Sequence, residues 1–226
     1  MWLDQVEALS ETRRCVALDL PGFGRSDPLR ERVLSMGRLA DDLAEFIGDE
    51  PADVVALSMG GYAALALWER HPQVVRTLSL LDTRSGEDSE EGRTGRRQMA
   101  EQVADRGTAS LVDGLAAAML ARGASVAARA RLRGMIEATA PETVVAALEG
   151  MARRPDRTGL LATISVPTLV LAGEEDRLAP PAVAEAMAAL IPDSTLVIVP
   201  GAGHMAPVEA PDLVNDALRQ FWRRVD

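Results

Sequence analysis

The sequence predicts an α/β fold, in which a mostly parallel sheet is flanked by helices and carries an all-helical insertion. Short apolar runs alternate with longer segments of helical periodicity, the pattern of parallel strands joined by crossover helices. Residues 84–162 break this alternation, because they contain helical patterns and no convincing strand. The chain has 226 residues, of which 47% are apolar, so it can form one domain with a sizeable core.

Five short apolar runs predict the strands. Each has four to seven residues and is rich in Val, Leu or Ile, as expected of the buried strands of a parallel sheet. The runs are residues 15–20, 53–57, 75–81, 167–173 and 194–200.

Helical patterns separate the runs. Between the first two strands, Ser35 is an N-cap candidate and Gly48 ends the pattern. A second helix follows Ser58 and stops before Pro72. Proline opens the last two helical patterns, which occupy residues 180–192 and 211–224.

The chain divides into a core of residues 1–83 and 163–226 and a helical cap of residues 84–162. An all-helical insertion between two strands can cover the edge of the sheet that carries the active site. The cap contains four helical patterns, at residues 96–106, 108–121, 125–138 and 141–153.

Composition restricts the partners. The net charge is −10 and no dense basic run is present, which argues against nucleic-acid binding. No apolar segment reaches membrane-spanning length and the first residues are too polar for a signal peptide, so we expect a cytoplasmic protein with no membrane partner. The lone Cys15 fits a reducing compartment, and we expect it to be a buried packing residue rather than a reactive thiol.

Ser58 stands at a strand–turn–helix junction, in "DVVALSMGGYAALAL" (53–67). The carboxyl end of a parallel strand is where open α/β sheets bind ligands. The stretch resembles Gly-x-Ser-x-Gly, the turn that exposes a nucleophilic serine, with Ala56 in place of the first glycine. Gly60 and Gly61 meet the need for small residues at such a turn. By itself the pattern leaves open whether Ser58 is a nucleophile or a small structural residue.

The positions of an acid and a histidine favour the nucleophile. A serine hydroxyl needs a base, and the base needs an orienting acid. His204 lies in a glycine-rich loop after the last strand, and Asp176 directly follows the preceding strand. The order Ser58, Asp176, His204, with each residue after a strand, predicts a catalytic triad.

Three other acids compete with Asp176. Glu174 and Glu175 are its neighbours, and Asp82 follows the strand at 75–81. We prefer Asp176, because "GEEDRLAPP" resembles the Gly-x-x-Asp segment in which α/β-hydrolases usually carry the acid. The second histidine, His71, ends a helix before proline, so we expect it to cap or pack.

The chain resembles the α/β-hydrolase family, specifically the group of esterases, enol-lactonases and cofactor-free perhydrolases. Four segments carry the resemblance over almost the whole length: "DLPGFGRSD" (19–27), "LSMGGYAAL" (57–65), "LAGEEDRLAPP" (171–181) and "GAGHMAPVEAPD" (201–212). The resemblance implies that Asp19 and Ser26 shape a loop, that the N–H of Met59 forms part of an oxyanion hole, and that no cofactor or metal is required.

Family members generally have further strands and a His-Gly loop ahead of the position that matches Met1. That loop supplies the second oxyanion N–H. Three interpretations follow: the natural chain begins further upstream, the second donor comes from elsewhere in the chain, or the protein binds without catalysing. We favour the first, because Met1 and Trp2 match an internal position of the family.

The sequence therefore predicts a serine hydrolase that cleaves a small carboxylic ester or lactone through an acyl-enzyme. Alternatives are a non-catalytic or impaired binding protein on the same scaffold, or a perhydrolase, thioesterase or carbon–carbon hydrolase with the same triad. Several apolar cap residues could line an acyl pocket, although ordinary packing explains them better: Met99, Leu111, Met119, Met135 and Met151.

Overall fold

Four parallel strands form the sheet of the computed structural model, which describes all 226 residues. They are β1 (Ala52–Leu57), β2 (Val75–Leu81), β3 (Thr168–Gly173) and β4 (Ser194–Val199), and they pair in the order β1-β2-β3-β4. Every residue of β3 is buried, which explains its continuous apolar run. The four strands predicted after residue 50 are confirmed to within one residue at each end.

The prediction of a strand at residues 15–20 is wrong. The segment makes no hydrogen bond to a neighbouring strand, and β1 is left at the edge of the sheet. Val16 is 53% exposed, and Cys15 is only partly buried. An apolar run forms a strand only where another strand satisfies its backbone N–H and C=O groups, and this condition is not visible in the run itself.

Ten helices surround the sheet or belong to the insertion. They are α1 (Leu3–Leu9), α2 (Met36–Ile47), α3 (Met59–Arg70), α4 (Glu90–Arg106), α5 (Val112–Met119), α6 (Val126–Glu137), α7 (Pro141–Ala152), α8 (Pro181–Leu190), α9 (Ala206–Glu209) and α10 (Pro211–Val225). The side chain of Ser35 caps α2 by accepting the N–H of Arg38, as predicted. The short helices α1 and α9 had no recognisable pattern in the sequence.

Alternate side chains of the strands enter two separate cores. On β2, Leu80 packs with α2, α3 and α8 on one face, whereas Leu81 packs with α1, α9 and α10 on the other. The same alternation separates Val170 from Leu171 on β3. The sheet therefore has helices on both faces, as the sequence predicted.

Residues 84–162 contain helices α4 to α7 and no strand. A 3₁₀ turn (Thr108–Leu111) precedes α5, so the pattern predicted at 108–121 is divided into two elements. None of the ten helices combines the length and the apolar composition that crossing a bilayer requires.

A buried ion pair connects the insertion to α3. Arg154 follows α7 and is 3% exposed, and its Nη2 lies 2.8 Å from Oδ1 of Asp88. The guanidinium also stacks on Tyr62 of α3, 4.1 Å from the ring centroid. Arg96 of α4 is a second partner of Asp88. These contacts replace the water that both charges lose on burial.

We expect Arg154→Ala to lower the free energy of unfolding by about 3 kcal/mol, because Asp88 loses a buried partner. This value is at the lower end of the range for breaking a buried ion pair, because Arg96 remains as a partner of Asp88. The measurement is urea denaturation. Arg153→Ala is the control: this side chain is 65% exposed and pairs with Glu149, so its loss should cost no more than about 0.5 kcal/mol. Equal losses in the two variants would show that the buried pair does not stabilise the fold.

Candidate active site

Ser58 occupies a sharp turn between β1 and α3. Its backbone has φ 52° and ψ −114°, a conformation that L-residues rarely adopt and that costs of order 1–3 kcal/mol. Hydrogen bonds to its backbone groups hold it there. The Ser58 N–H donates to Leu81 O (3.0 Å), and the Ser58 carbonyl accepts from the N–H of Gly61 (2.9 Å) and from Oγ1 of Thr83 (2.8 Å). The turn is thus fixed by β2 and by the residues that follow it.

The steric requirement of this turn is strongest at Gly61. A Cβ there would lie 2.4 Å from Oγ1 of Thr83, so a larger residue would push α3 away from the loop after β2. A Cβ on Gly60 would meet the Cβ of Ala56 at 3.8 Å, an ordinary contact. Alanine at position 56 is therefore compatible with the turn, and its departure from the glycine pattern has little steric consequence.

His204 joins Ser58 to Asp176. Its Nε2 lies 2.8 Å from Oγ of Ser58, and its Nδ1 lies 2.8 Å from Oδ2 of Asp176. The imidazole is buried, with only 4% of the residue exposed. The three residues predicted from their order in the sequence form one continuous hydrogen-bonded chain.

The carboxylate of Asp176 is held by its own loop. Its Oδ1 accepts the N–H groups of Leu178 (2.8 Å) and Ala179 (3.0 Å), which leaves Oδ2 for His204. Burial alone would raise the pKa of Asp176, but the hydrogen bond and charge of His204 and the two N–H groups together hold this pKa below its ordinary value. Asp176 is therefore stabilised as a carboxylate facing Nδ1.

The competing acids bond elsewhere. Glu174 accepts the N–H of Gly201 (2.9 Å), and Glu175 accepts the N–H of Arg122 (3.0 Å). Asp82 is 1% exposed and accepts the N–H of Gly173 (2.7 Å), with no bond to His204. The geometry therefore favours Asp176 among the four acids.

Asp82 differs electrostatically from Asp176. Burial, with a further contribution from the negative charge of Asp176, places the pKa of Asp82 well above its ordinary value of 3.8. Its Oδ2 has no hydrogen-bond partner that would compensate for lost hydration. The charged form of Asp82 is therefore less stable than that of an exposed aspartate.

The remaining predicted residues lie outside this chain. His71 ends α3, and its Nε2 lies 2.7 Å from Oδ1 of Asp41 on α2, which agrees with a capping or packing role. Asp19 accepts the N–H of Arg25 (3.1 Å), and Oγ of Ser26 donates to the Asp19 carbonyl. These bonds close the loop at 19–26, as the resemblance implied.

Met59 begins α3 directly after Ser58. Its backbone N–H donates to no acceptor in the protein, as is common for the first N–H groups of a helix. The partial positive charge at a helix N-terminus favours an anion at such a donor. A free donor thus lies next to the Ser58 hydroxyl.

Two further residues, Thr83 and Glu209, contact the site although no sequence pattern indicated them. Thr83 donates to the Ser58 carbonyl, and Glu209 accepts three backbone N–H groups around the His204 loop. The only sequence signal for Glu209 is its position five residues after His204 in "HMAPVE". Contacts between separate loops cannot be read from spacing alone.

Residues 1–211 match the family model described as the alpha/beta hydrolase fold. The chain belongs to the α/β-hydrolase family. It is 30% identical, over 90% of its length, to a pimeloyl-(acyl-carrier protein) methyl ester esterase of Neisseria meningitidis serogroup B, and it covers 80% of that protein. The family expected from the sequence motifs is confirmed.

Solved structures of α/β-hydrolases show the same fold. A thermophilic esterase from Thermogutta terrifontis aligns with a TM-score of 0.95 at 38% identity, over 99% of this chain and 85% of that one. An enol-lactonase from Burkholderia xenovorans LB400 aligns with a TM-score of 0.86 at 24% identity, over 98% and 85%. The predicted fold class is confirmed, and the expectation of a hydrolase of ester bonds agrees with the names of these relatives.

Asp82→Asn should alter how stability depends on pH. The folded-state pKa of Asp82 is raised, so the folded protein holds this proton more tightly than the unfolded chain does. Wild-type stability therefore falls as pH rises from 3.8 towards the folded-state pKa. Asparagine removes this titration and tolerates the positive φ of 46° at this position. The variant should gain stability relative to wild type across this range, measured by urea denaturation at several pH values.

Asp156→Asn is the matched control for this measurement. A hydrogen bond from Thr158 lowers the pKa of Asp156. The stabilising contribution of Asp156 is therefore fully present above its ordinary pKa, and it is lost as the pH falls through the lowered, folded-state pKa. The difference between this variant and wild type should stay constant above about pH 5. A constant difference for Asp82→Asn as well would contradict a raised pKa at Asp82.

Proposed function

We propose that this α/β-hydrolase is a serine hydrolase that cleaves small carboxylic esters or lactones through Ser58, His204 and Asp176. The observation that carries the proposal is the buried hydrogen-bonded chain from Ser58 Oγ through the His204 ring to Asp176, with both contacts at 2.8 Å. Nucleophile, base and orienting acid within hydrogen-bond reach form the arrangement that acyl transfer requires.

In the first half of the reaction, Ser58 Oγ attacks the ester carbonyl while its proton passes to Nε2 of His204. The carbonyl oxygen becomes an oxyanion, which accepts the N–H of Met59. When the tetrahedral intermediate collapses, the bond to the alkoxy group breaks and that group takes the proton from Nε2. The alcohol leaves and an acyl ester remains on Ser58.

Water completes the cycle. It gives a proton to Nε2 of His204 as its oxygen attacks the acyl carbonyl, and the second intermediate expels Ser58 Oγ, which recovers that proton. Asp176 holds Nδ1 protonated throughout and stabilises the imidazolium that forms twice. A lactone follows the same steps, except that its alcohol stays attached to the product.

The role of residues 84–162 as a cap belongs to this proposal. The carbonyl of Met119, at the end of α5, accepts the His204 N–H (2.7 Å), so the insertion lies directly against the histidine loop. Met119 and Met135 pack against the core under α10, and Met151 packs against the core under α3. Packing therefore accounts for these methionines without an acyl pocket.

Ser58→Ala should lower the hydrolysis of short-chain p-nitrophenyl esters by roughly 10⁴–10⁶-fold, because no other group can form the acyl-enzyme. His204→Ala should be comparably damaging, since serine and base act as one unit. A fluorophosphonate probe should label wild type and Ser10→Ala, in which an exposed serine is changed, but not Ser58→Ala. Labelling or turnover that persists in folded Ser58→Ala would refute the nucleophile, and an unlabelled wild type would favour the non-catalytic alternative.

Asp176→Asn should lower kcat by about 10⁴-fold. An amide N–H facing Nδ1 favours the imidazole tautomer protonated at Nε2, which cannot accept the serine proton. Asp82→Asn should leave kcat nearly unchanged, because Asp82 does not contact His204. Steady-state kinetics of the two variants provide the comparison. The opposite ranking would assign the acid to Asp82.

A further inference from the structure

Glu209 binds the backbone on both sides of His204. Its Oε1 accepts the N–H of Gly203 (3.0 Å) and the N–H of Met205 (3.2 Å). Its Oε2 accepts the N–H of Ala121 (2.7 Å), which belongs to the insertion. One carboxylate thus connects the histidine loop to the segment after α5.

That segment, residues 119–122, contacts the proposed catalytic loops at each of its four positions. The carbonyl of Met119 accepts the His204 N–H (2.7 Å), and the carbonyl of Leu120 accepts from Nη2 of Arg177 (2.6 Å). The N–H of Arg122 donates to Glu175 (3.0 Å). Three successive N–H groups, those of residues 203, 204 and 205, are therefore fixed by Glu209 and Met119.

The two backbones touch. A Cβ placed on Gly203 would lie 2.5 Å from the nitrogen of Ala121, so no side chain fits between them. Since these contacts leave the peptide groups around His204 little freedom to rotate, the direction of the imidazole depends on them.

We propose that Glu209 is a positioning residue, which aligns His204 with Ser58 by tying the amides on both sides of the histidine to Ala121. The inference rests on the proposed serine hydrolase reaction. Burial raises the pKa of Glu209 above its ordinary value although three N–H groups oppose this change, so the carboxylate is kept at an energetic cost. A displacement of His204 by about 1 Å would cost on the order of 10²-fold in rate.

The test compares Glu209→Ala with Glu209→Gln. Alanine removes all three bonds, whereas the carbonyl oxygen of glutamine can still accept from Gly203 and Met205. We expect Glu209→Ala to lower kcat by about 10²-fold with KM nearly unchanged. Glu209→Gln keeps the two bonds that flank His204 but its NH2 group cannot accept the N–H of Ala121, so its kcat should fall between those of Glu209→Ala and wild type. A residue that only stabilises the fold would not separate kcat from KM in this way.

Glu174→Gln is the matched control. Glu174 also accepts a backbone N–H of the histidine loop, that of Gly201, but it does not bond the residues that flank His204. Its kcat should remain that of wild type. An equal loss of kcat in Glu174→Gln and Glu209→Gln would overturn the specific role of Glu209.

A proton NMR measurement tests the same proposal without turnover. The Nδ1–H of His204 that faces Asp176 should give a downfield resonance, which is simple to assign because the chain has two histidines. Wild type and Glu174→Gln should show it, and folded Glu209→Ala should lose it. If Glu209→Ala does not fold, Glu209→Asp replaces it, because the shorter side chain cannot reach both Ala121 and the loop.

Persistence of both this resonance and kcat in the folded variant would overturn the role of Glu209. A wild type without Ser58-dependent hydrolysis would overturn the proposed function instead, and the NMR comparison would still decide whether Glu209 orients His204.

Discussion

The pairing of β3 with β4 continues beyond the ends of the strands, and the geometry of the candidate site depends on it. The ladder runs from Thr168 opposite Ser194 to Gly173 opposite Val199. It is extended by the N–H of Glu174, which donates to Val199 O (2.9 Å), and by that of Glu175, which donates to Ala202 O (2.8 Å). The loop after β3, which carries Asp176, and the loop after β4, which carries His204, are therefore joined by backbone hydrogen bonds. Asp176 and His204 meet where these two loops pair.

Three buried or partly buried acids near His204 have different partners and different pKa values. Asp176 has two backbone donors and the imidazole, and its pKa is lowered. Asp82 has one donor, and its pKa is strongly raised by burial. Glu209 has three donors, but burial, with a smaller contribution from the nearby Glu175, raises its pKa. The hydrogen bond and the charge of His204 thus favour the negative charge on the acid that faces Nδ1.

The helical insertion makes direct contacts with the elements that form the candidate site. At one end, Arg154 stacks on Tyr62, which lies in the helix that Ser58 begins. In its middle, residues 119–122 bond to the acid and histidine loops. A change in the packing of the insertion would therefore reach the proposed nucleophile through α3 and the proposed base through residues 119–122.

The sequence by itself determined the alternation of strands and helices, four of the five strands, and the loops that carry Ser58, Asp176 and His204. These features are local, because the hydrophobic periodicity of an element and the residues that form its turns depend only on neighbouring positions in the sequence. Tertiary structure alone decided that residues 15–20 are not a strand, since strand formation depends on a partner elsewhere in the chain. It also decided that Glu209 reaches both Gly203 and Ala121. Such contacts join residues distant in sequence, so their partners are set by how the loops pack at the sheet edge and not by any local pattern.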